Sequence, residues 1–225
     1  MFKKAFQSIT NLSILEFSKK DIVPLLNYDY HHNVTNLMKF LDIHDLNQVP
    51  YNPYLKNILL ENNKPIIEDI LQSPNKKYII NWHGNSNFKT TTSRSRDIPL
   101  YKFEQLFKKQ NTIFIILTQE ISKQEMKILK KYKNVKNISE IVDKENGFED
   151  SMYILKHVDG LITTDTVYAH LGGTMDIKTY VLLNKYCEWR WGTATKTAWY
   201  PNLTLIRQQE TENWDNVIDE LNLII

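Results

Sequence analysis

From residue 76 onward, short apolar runs alternate with amphipathic stretches, so strands and helices are expected to take turns along the chain. Lys77-Tyr78-Ile79-Ile80-Asn81-Trp82 predicts a strand ending at the turn-rich His83-Gly84-Asn85. Thr112 to Leu117 is β-rich and almost wholly apolar, short enough for a parallel strand buried on both faces, and Thr118-Gln119 closes it. Further strands are predicted near 135–138, from Leu161, over 178–183 and over 203–206. Between them, Pro99 sits where a first helical turn tolerates proline, and Leu100, Phe103, Leu106 and Phe107 form one apolar stripe. A Lys-rich amphipathic helix runs to about Tyr132, and a helix capped by Asp150 or Ser151 carries Met152, Ile154, Leu155 and Val158. Trp214 to Leu223 is a closing helix. This alternation predicts an α/β fold, a Rossmann-like doubly wound parallel sheet.

The first seventy or so residues differ. They mix Tyr, His and Asn with short apolar runs such as Leu37-Met38-Lys39-Phe40-Leu41 and complete no βαβ unit. Pro50 through Pro53 mark the boundary. The expected division is an incomplete N-terminal segment over 1–55 and an α/β domain over 56–225.

Composition narrows the partners. The 225 residues are 42% hydrophobic and 24% charged, as in a soluble globular protein able to bury a real core. Lys+Arg 28 against Asp+Glu 26 leaves a net charge of +2, which argues against recruitment of nucleic acid or an anionic membrane. The lysines at 108–109 and from 123 to 136 alternate with apolar residues and read as solvated helix faces. The single cysteine, Cys187, excludes an intrachain disulfide and fits a reducing, cytoplasmic setting. No apolar run has the length of a membrane span or the core of a signal peptide. No HExxH or EF-hand pattern supports a metal site. With only 6 glycines there is no GxGxxG and no Walker A loop, so any phosphate must be held by helix ends and side chains.

The richest stretch chemically is Leu161 to Gly173, where an apolar strand ends in Asp165-Thr166 and His170 follows one helical turn later on the same face. A helix beginning there would aim free N–H groups and its positive dipole end at an anion, with Asp165 and Thr166 supplying cap or ligand bonds. The alternative is a plain cap and a half-buried histidine. The loop Lys89 to Asp97 offers Arg94 and Arg96, whose guanidinium forks match phosphate oxygens, unless it is simply a polar connection. Thr118 and Gln119, which close the Thr112 strand, are counted among the candidates. His83 and His31-His32 are possible general bases, and nothing in the spacing selects among them. Trp189, Trp191 and Trp199 lie close together in sequence, either to stack on a base or sugar or to wedge the last helix against the sheet.

Several segments, in order, together resemble the C-terminal lobe of GT-B glycosyltransferases, specifically the heptosyltransferase-like family and its relatives fused to tetratricopeptide repeats. Pro53-Tyr54-Leu55 resembles the PYL linker, Asn81 to Asn85 the W-x-G-N turn, and Arg96 to Leu100 the R-S-I-P-L helix start. Phe148 to Ser151 resembles F-x-D-T, and Asp165 to Gly173 resembles D-T-x-x-A-H-L-A-G. Trp189-Arg190-Trp191 and Trp199-Tyr200-Pro201 resemble the W-R-W and W-Y-P segments. Asp97 stands in place of Ser and Gly172 in place of Ala, and Gly192 to Thr197 replaces an acidic-arginine stretch. The resemblance implies metal-independent, inverting transfer from a nucleotide diphosphate sugar, which is the donor substrate, with no cofactor. It implies that Arg96, Asp165, Thr166 and His170 bind that donor, with Gly84 admitting the ligand to the backbone; Asn85, Arg94, Thr118 and Gln119 are counted with them as candidate nucleotide-sugar-binding residues. The acceptor, whether glycan, lipid-linked sugar or protein, and the catalytic base are left open. Because residues 1–55 resemble only the tail of an acceptor lobe, the chain is alternatively a non-catalytic nucleotide-binding module, a partner subunit or a homodimer.

Overall fold

The computed structural model describes residues 39, 41–45, 48–84, 95–144 and 147–225. Six strands form one all-parallel sheet: β1 (Lys76–Asn81), β2 (Thr112–Ile116), β3 (Val135–Asn137), β4 (Gly160–Thr164), β5 (Thr179–Leu183) and β6 (Leu203–Arg207). Their spatial order is β3-β2-β1-β4-β5-β6, so the winding reverses between β1 and β4. Each of the six lies within two residues of its predicted place. They were readable because a parallel strand covered on both faces is apolar at every position. In β2, β4 and β5 every residue is buried.

Neighbouring side chains of β1 serve opposite faces. Ile80 joins Phe114, Ile116, Ile162, Leu182 and Ile206 under the 99–107 segment and the last helix, which contributes Trp214, Val217, Ile218 and Leu221. Ile79 joins Ile113, Ile115 and Leu161 under three helices, α1 (Pro65–Leu71), α4 (Glu149–Leu155) and α5 (Val167–Thr174). A third cluster groups Ala169 of α5 with Val181, Leu183, Leu203, Leu205 and Trp191. The remaining helices are α2 (Glu104–Phe107), α3 (Lys123–Leu129) and α6 (Asp215–Ile224).

Local details differ from expectation. The Pro99 segment begins as a 3-10 turn over Leu100–Phe103 before α2, and both carry the predicted stripe inward. Neither Asp150 nor Ser151 caps α4, whose N-cap is Phe148. They sit inside its first turn, where Asp150 is better used: its carboxylate takes the Asp143 N–H at 2.7 Å and the Lys64 ammonium at 2.7 Å. The tryptophan segment does not brace the last helix. Trp191 is buried in the third cluster, against α5, β5 and β6, whereas Trp214 seats α6. Residues 51–58 lie on the body of the domain through buried Leu55 and Ile58 and through the Tyr51 hydroxyl, which donates to the Gly173 carbonyl at 2.8 Å. Most of the expected 1–55 segment, including His31-His32, lies outside the described residues. No helix among the described residues is long and apolar enough to cross a membrane.

Candidate ligand cleft at the sheet's switch point

A cleft of about 670 Å3 opens where β1 and β4 diverge, the position at which wound sheets take ligands. Seven of the predicted residues line it: Gly84, Arg96, Thr118, Gln119, Asp165, Thr166 and His170. The other two, Asn85 and Arg94, lie outside the described residues.

The floor is a hydrogen-bonded hub on Asn81, the last residue of β1 and 3% exposed. Its amide donates to Thr166 Oγ1 at 3.1 Å and to Thr163 Oγ1 at 3.3 Å, and accepts from Thr118 Oγ1 at 2.9 Å. One side chain thus ties the carboxyl ends of β1, β2 and β4 into a fixed platform. Thr118 and Thr166 therefore shape the cleft rather than offer free hydroxyls. Gln119 is likewise engaged, donating to the Ser139 carbonyl at 3.0 Å and accepting from Lys144 at 3.1 Å.

With its hydroxyl held by the hub, Thr166 occupies the N-cap of α5 in an extended conformation and makes no side-chain cap bond. The Thr166 side chain caps none of the first N–H groups of α5; the Ala169 N–H bonds the Thr166 carbonyl at 3.0 Å, and the turn lies beside a cleft that Thr166, Val167 and Tyr168 line. Such an end favours an anion through both its hydrogen bonds and its dipole. Arg96 adds a full positive charge at the same spot, its Nη1 donating to the Asp165 carbonyl at 2.6 Å. A Cβ on Gly84 would stand 2.7 Å from Arg96 Nη2 and 2.9 Å from Nε. What Gly84 admits to the backbone in this structure is the Arg96 guanidinium, and that lets the arginine lie across the cleft to reach α5.

His170, one turn into α5, is enclosed by aromatic rings. The Trp191 ring stacks on it at 5.4 Å between centroids, and Tyr200 meets it edge-on, with its hydroxyl 3.2 Å from Nδ1. Burial pushes the imidazole pKa below its ordinary value, and the Arg190 guanidinium pushes the same way, against Asp165 and Glu188. A neutral imidazole can still donate one N–H to an anion. His83, the other candidate in this region, faces the cleft with Nδ1 2.7 Å from the Gly84 carbonyl. Among the described residues no group of three or more His, Cys, Asp or Glu could hold a metal ion.

No protein-family model matches this chain, and no curated protein matches it. Among solved structures, the chain is similar to the E. coli heptosyltransferase WaaC with ADP-2-deoxy-2-fluoro heptose. Identity is 11% and the TM-score 0.44, over 76% of this chain and 52% of that one. For the same E. coli heptosyltransferase with ADP, identity is 13% and the TM-score 0.42, over 75% of this chain and 54% of that one. The chain spans about half the length of these proteins.

The cleft also recruits residues that sequence reasoning did not assign to it. Leu117, Glu120, Phe148, Val167 and Tyr168 line one flank, Glu188 and Arg190 another. Asn81 carried a readable signal, a polar residue at the end of an otherwise apolar strand. Glu188 and Arg190 carried none, because only the path of the chain after β5 brings them back toward α5.

Proposed function

We propose that the cleft binds a nucleoside diphosphate sugar by its pyrophosphate and that the chain is the donor-binding part of a GT-B glycosyltransferase. The observation that carries this is the meeting of Arg96 with Asp165 at the start of α5, on the switch-point floor. A guanidinium and a helix N-terminus converging on one volume suit two linked phosphates, and nothing in the chain offers a Gly-rich loop to do it otherwise. The ordered set of motifs, from the Pro53-Tyr54-Leu55 linker to Trp199-Tyr200-Pro201, supports the same reading. In transfer, negative charge grows on the departing diphosphate, and donors fixed in place before reaction stabilise it most in the transition state. Asp165, with its carbonyl bound to Arg96, keeps its carboxylate available for hydroxyl groups. The proposed transfer is inverting and needs no metal.

Calorimetry with a panel of nucleoside diphosphates tests the binding. Arg96→Ala is expected to weaken the tightest of them by about 1.5 to 3 kcal/mol, the range for a lost charged hydrogen bond. Unchanged affinity would remove Arg96 from the site. Sugar transfer or donor hydrolysis by the purified chain supports the enzyme, and binding without turnover supports a nucleotide-binding module.

A further inference from the structure

The 3-10 turn Trp189–Trp191 follows β5 and presents its side chains in two directions. Trp191 points inward and is 1% exposed, stacked on His170. Trp189 is 73% exposed, while its two neighbours, Glu188 and Arg190, both line the cleft. A single exposed apolar side chain is ordinary. Trp189 is not itself among the residues lining the cleft, and an exposed indole at the rim between two charged groups that do line it is less ordinary.

The turn is held rigidly. Glu188 Oε2 accepts from both the backbone N–H and the Nε of Arg190 at 2.9 Å. Arg207 ties the segment from behind, donating to the Trp191 carbonyl at 2.7 Å, to Cys187 Sγ at 2.8 Å and to the Ala194 carbonyl at 3.3 Å. Gly192 then reverses the chain at φ 57°, a conformation that costs glycine little. Side chains of a rigid turn lose little freedom when a ligand binds them.

Carboxylate, guanidinium and a flat exposed indole meet the three surfaces of a sugar ring. Hydroxyl hydrogens suit Glu188, hydroxyl oxygens suit Arg190, and the apolar C–H face of a pyranose suits the Trp189 face. The turn also lies on the His170 side of the cleft. A group there would adjoin a pyrophosphate held by Arg96 and α5. We propose that Glu188, Trp189 and Arg190 form a carbohydrate-binding edge that holds a glycosyl ring beside the diphosphate site. The proposal rests on the nucleotide-sugar reading of the cleft for its location, though not for its chemistry. The ring belongs either to the donor itself or to a separate saccharide acceptor.

Two titrations on wild type, Trp189→Ala and Glu188→Gln test it and distinguish the sources. In the first, UDP, GDP and ADP are compared with their hexose conjugates. In the second, mono- and disaccharides of glucose, galactose, mannose and N-acetylglucosamine are added with the best of those diphosphates present. Trp189→Ala is expected to lower affinity for a sugar-bearing ligand about tenfold, near the upper limit of one aromatic stacking contact, and to leave the bare diphosphate within about twofold. Loss in the first arm assigns the ring to the donor, and loss only in the second assigns it to an acceptor. Either supports the edge. Equal losses for sugar-bearing and bare ligands, or no loss in either arm at an unchanged thermal midpoint, would overturn it. Failure of the wild type to bind any diphosphate would instead strike the nucleotide reading, and the saccharide titration without nucleotide would then decide the edge alone.

Discussion

At the scale of single residues, the cleft is a set of side chains whose polar atoms are either already bound within the protein or left for a ligand. Asn81, Thr118 and Thr166 are bound to one another, and Arg96, Asp165 and His170 are left at the surface of the cleft. His170 shows how finely this is set. The Tyr200 hydroxyl lies 3.2 Å from Nδ1, within hydrogen-bond reach of the ring. Burial keeps the ring neutral, with Arg190 adding to the effect and Asp165 and Glu188 opposing it. In the unfolded chain the imidazole titrates near its ordinary value of about 6.5. Protonation therefore favours unfolding, and the stability gained by burying a neutral ring is complete above about pH 6.5 and is lost as pH falls toward the lower folded value. Denaturant midpoints of wild type and His170→Gln, measured from about pH 7.5 down to about 5.5, are expected to draw together as the pH falls. Parallel curves would show that the ring titrates alike in both states.

Between elements, α5 is the piece on which the site depends, and its seating explains one departure from the family pattern. Gly172 stands where the resembling sequences carry alanine. A Cβ there would lie 2.2 Å from Thr179 Oγ1 on β5, which has taken the space and donates to the Ile177 carbonyl at 2.8 Å. Gly172→Ala is expected to destabilise the domain by about 1 to 3 kcal/mol, as overpacking does. Thr179→Ala should recover most of that loss in the double variant, giving a coupling above about 1 kcal/mol in a double-mutant cycle. Additive effects would mean that helix and strand do not meet at this pair. Such a pair shows why the sequence disclosed elements better than contacts. The strands announced themselves through continuous apolar runs, and the α5 start through Asp165-Thr166 after one of them. The sequence pattern points to Asp150 or Ser151 as the cap of α4, whereas Asp150 serves Asp143 and Lys64 across a loop, which no local spacing records. Closeness in sequence groups the tryptophans, yet Trp191 is core and Trp189 is surface, a division made only by the turn that holds them.

For the whole molecule, the order β3-β2-β1-β4-β5-β6 sets β1 beside β4 where the winding reverses, so Arg96 and the start of α5 meet although they are far apart in sequence. Their meeting places a guanidinium beside the start of a helix whose N-cap side chain makes no cap bond, two groups that both favour an anion. A ligand that supplies the anion binds the folded chain and not the unfolded one, so it must raise global stability by an amount set by its affinity. At a free concentration one hundred times the dissociation constant this is about 2.7 kcal/mol. For a domain of this size that corresponds to a rise in thermal midpoint of roughly 5 to 10 °C. The best nucleoside diphosphate of the panel is expected to produce that rise in wild type. Arg96→Ala should show a much smaller one at the same concentration, each rise being measured from that protein's own unliganded midpoint, because the variant also loses the bond to the Asp165 carbonyl. A midpoint that ignores every diphosphate, or a variant that responds as wild type does, would mean the two positive elements were brought together for packing alone.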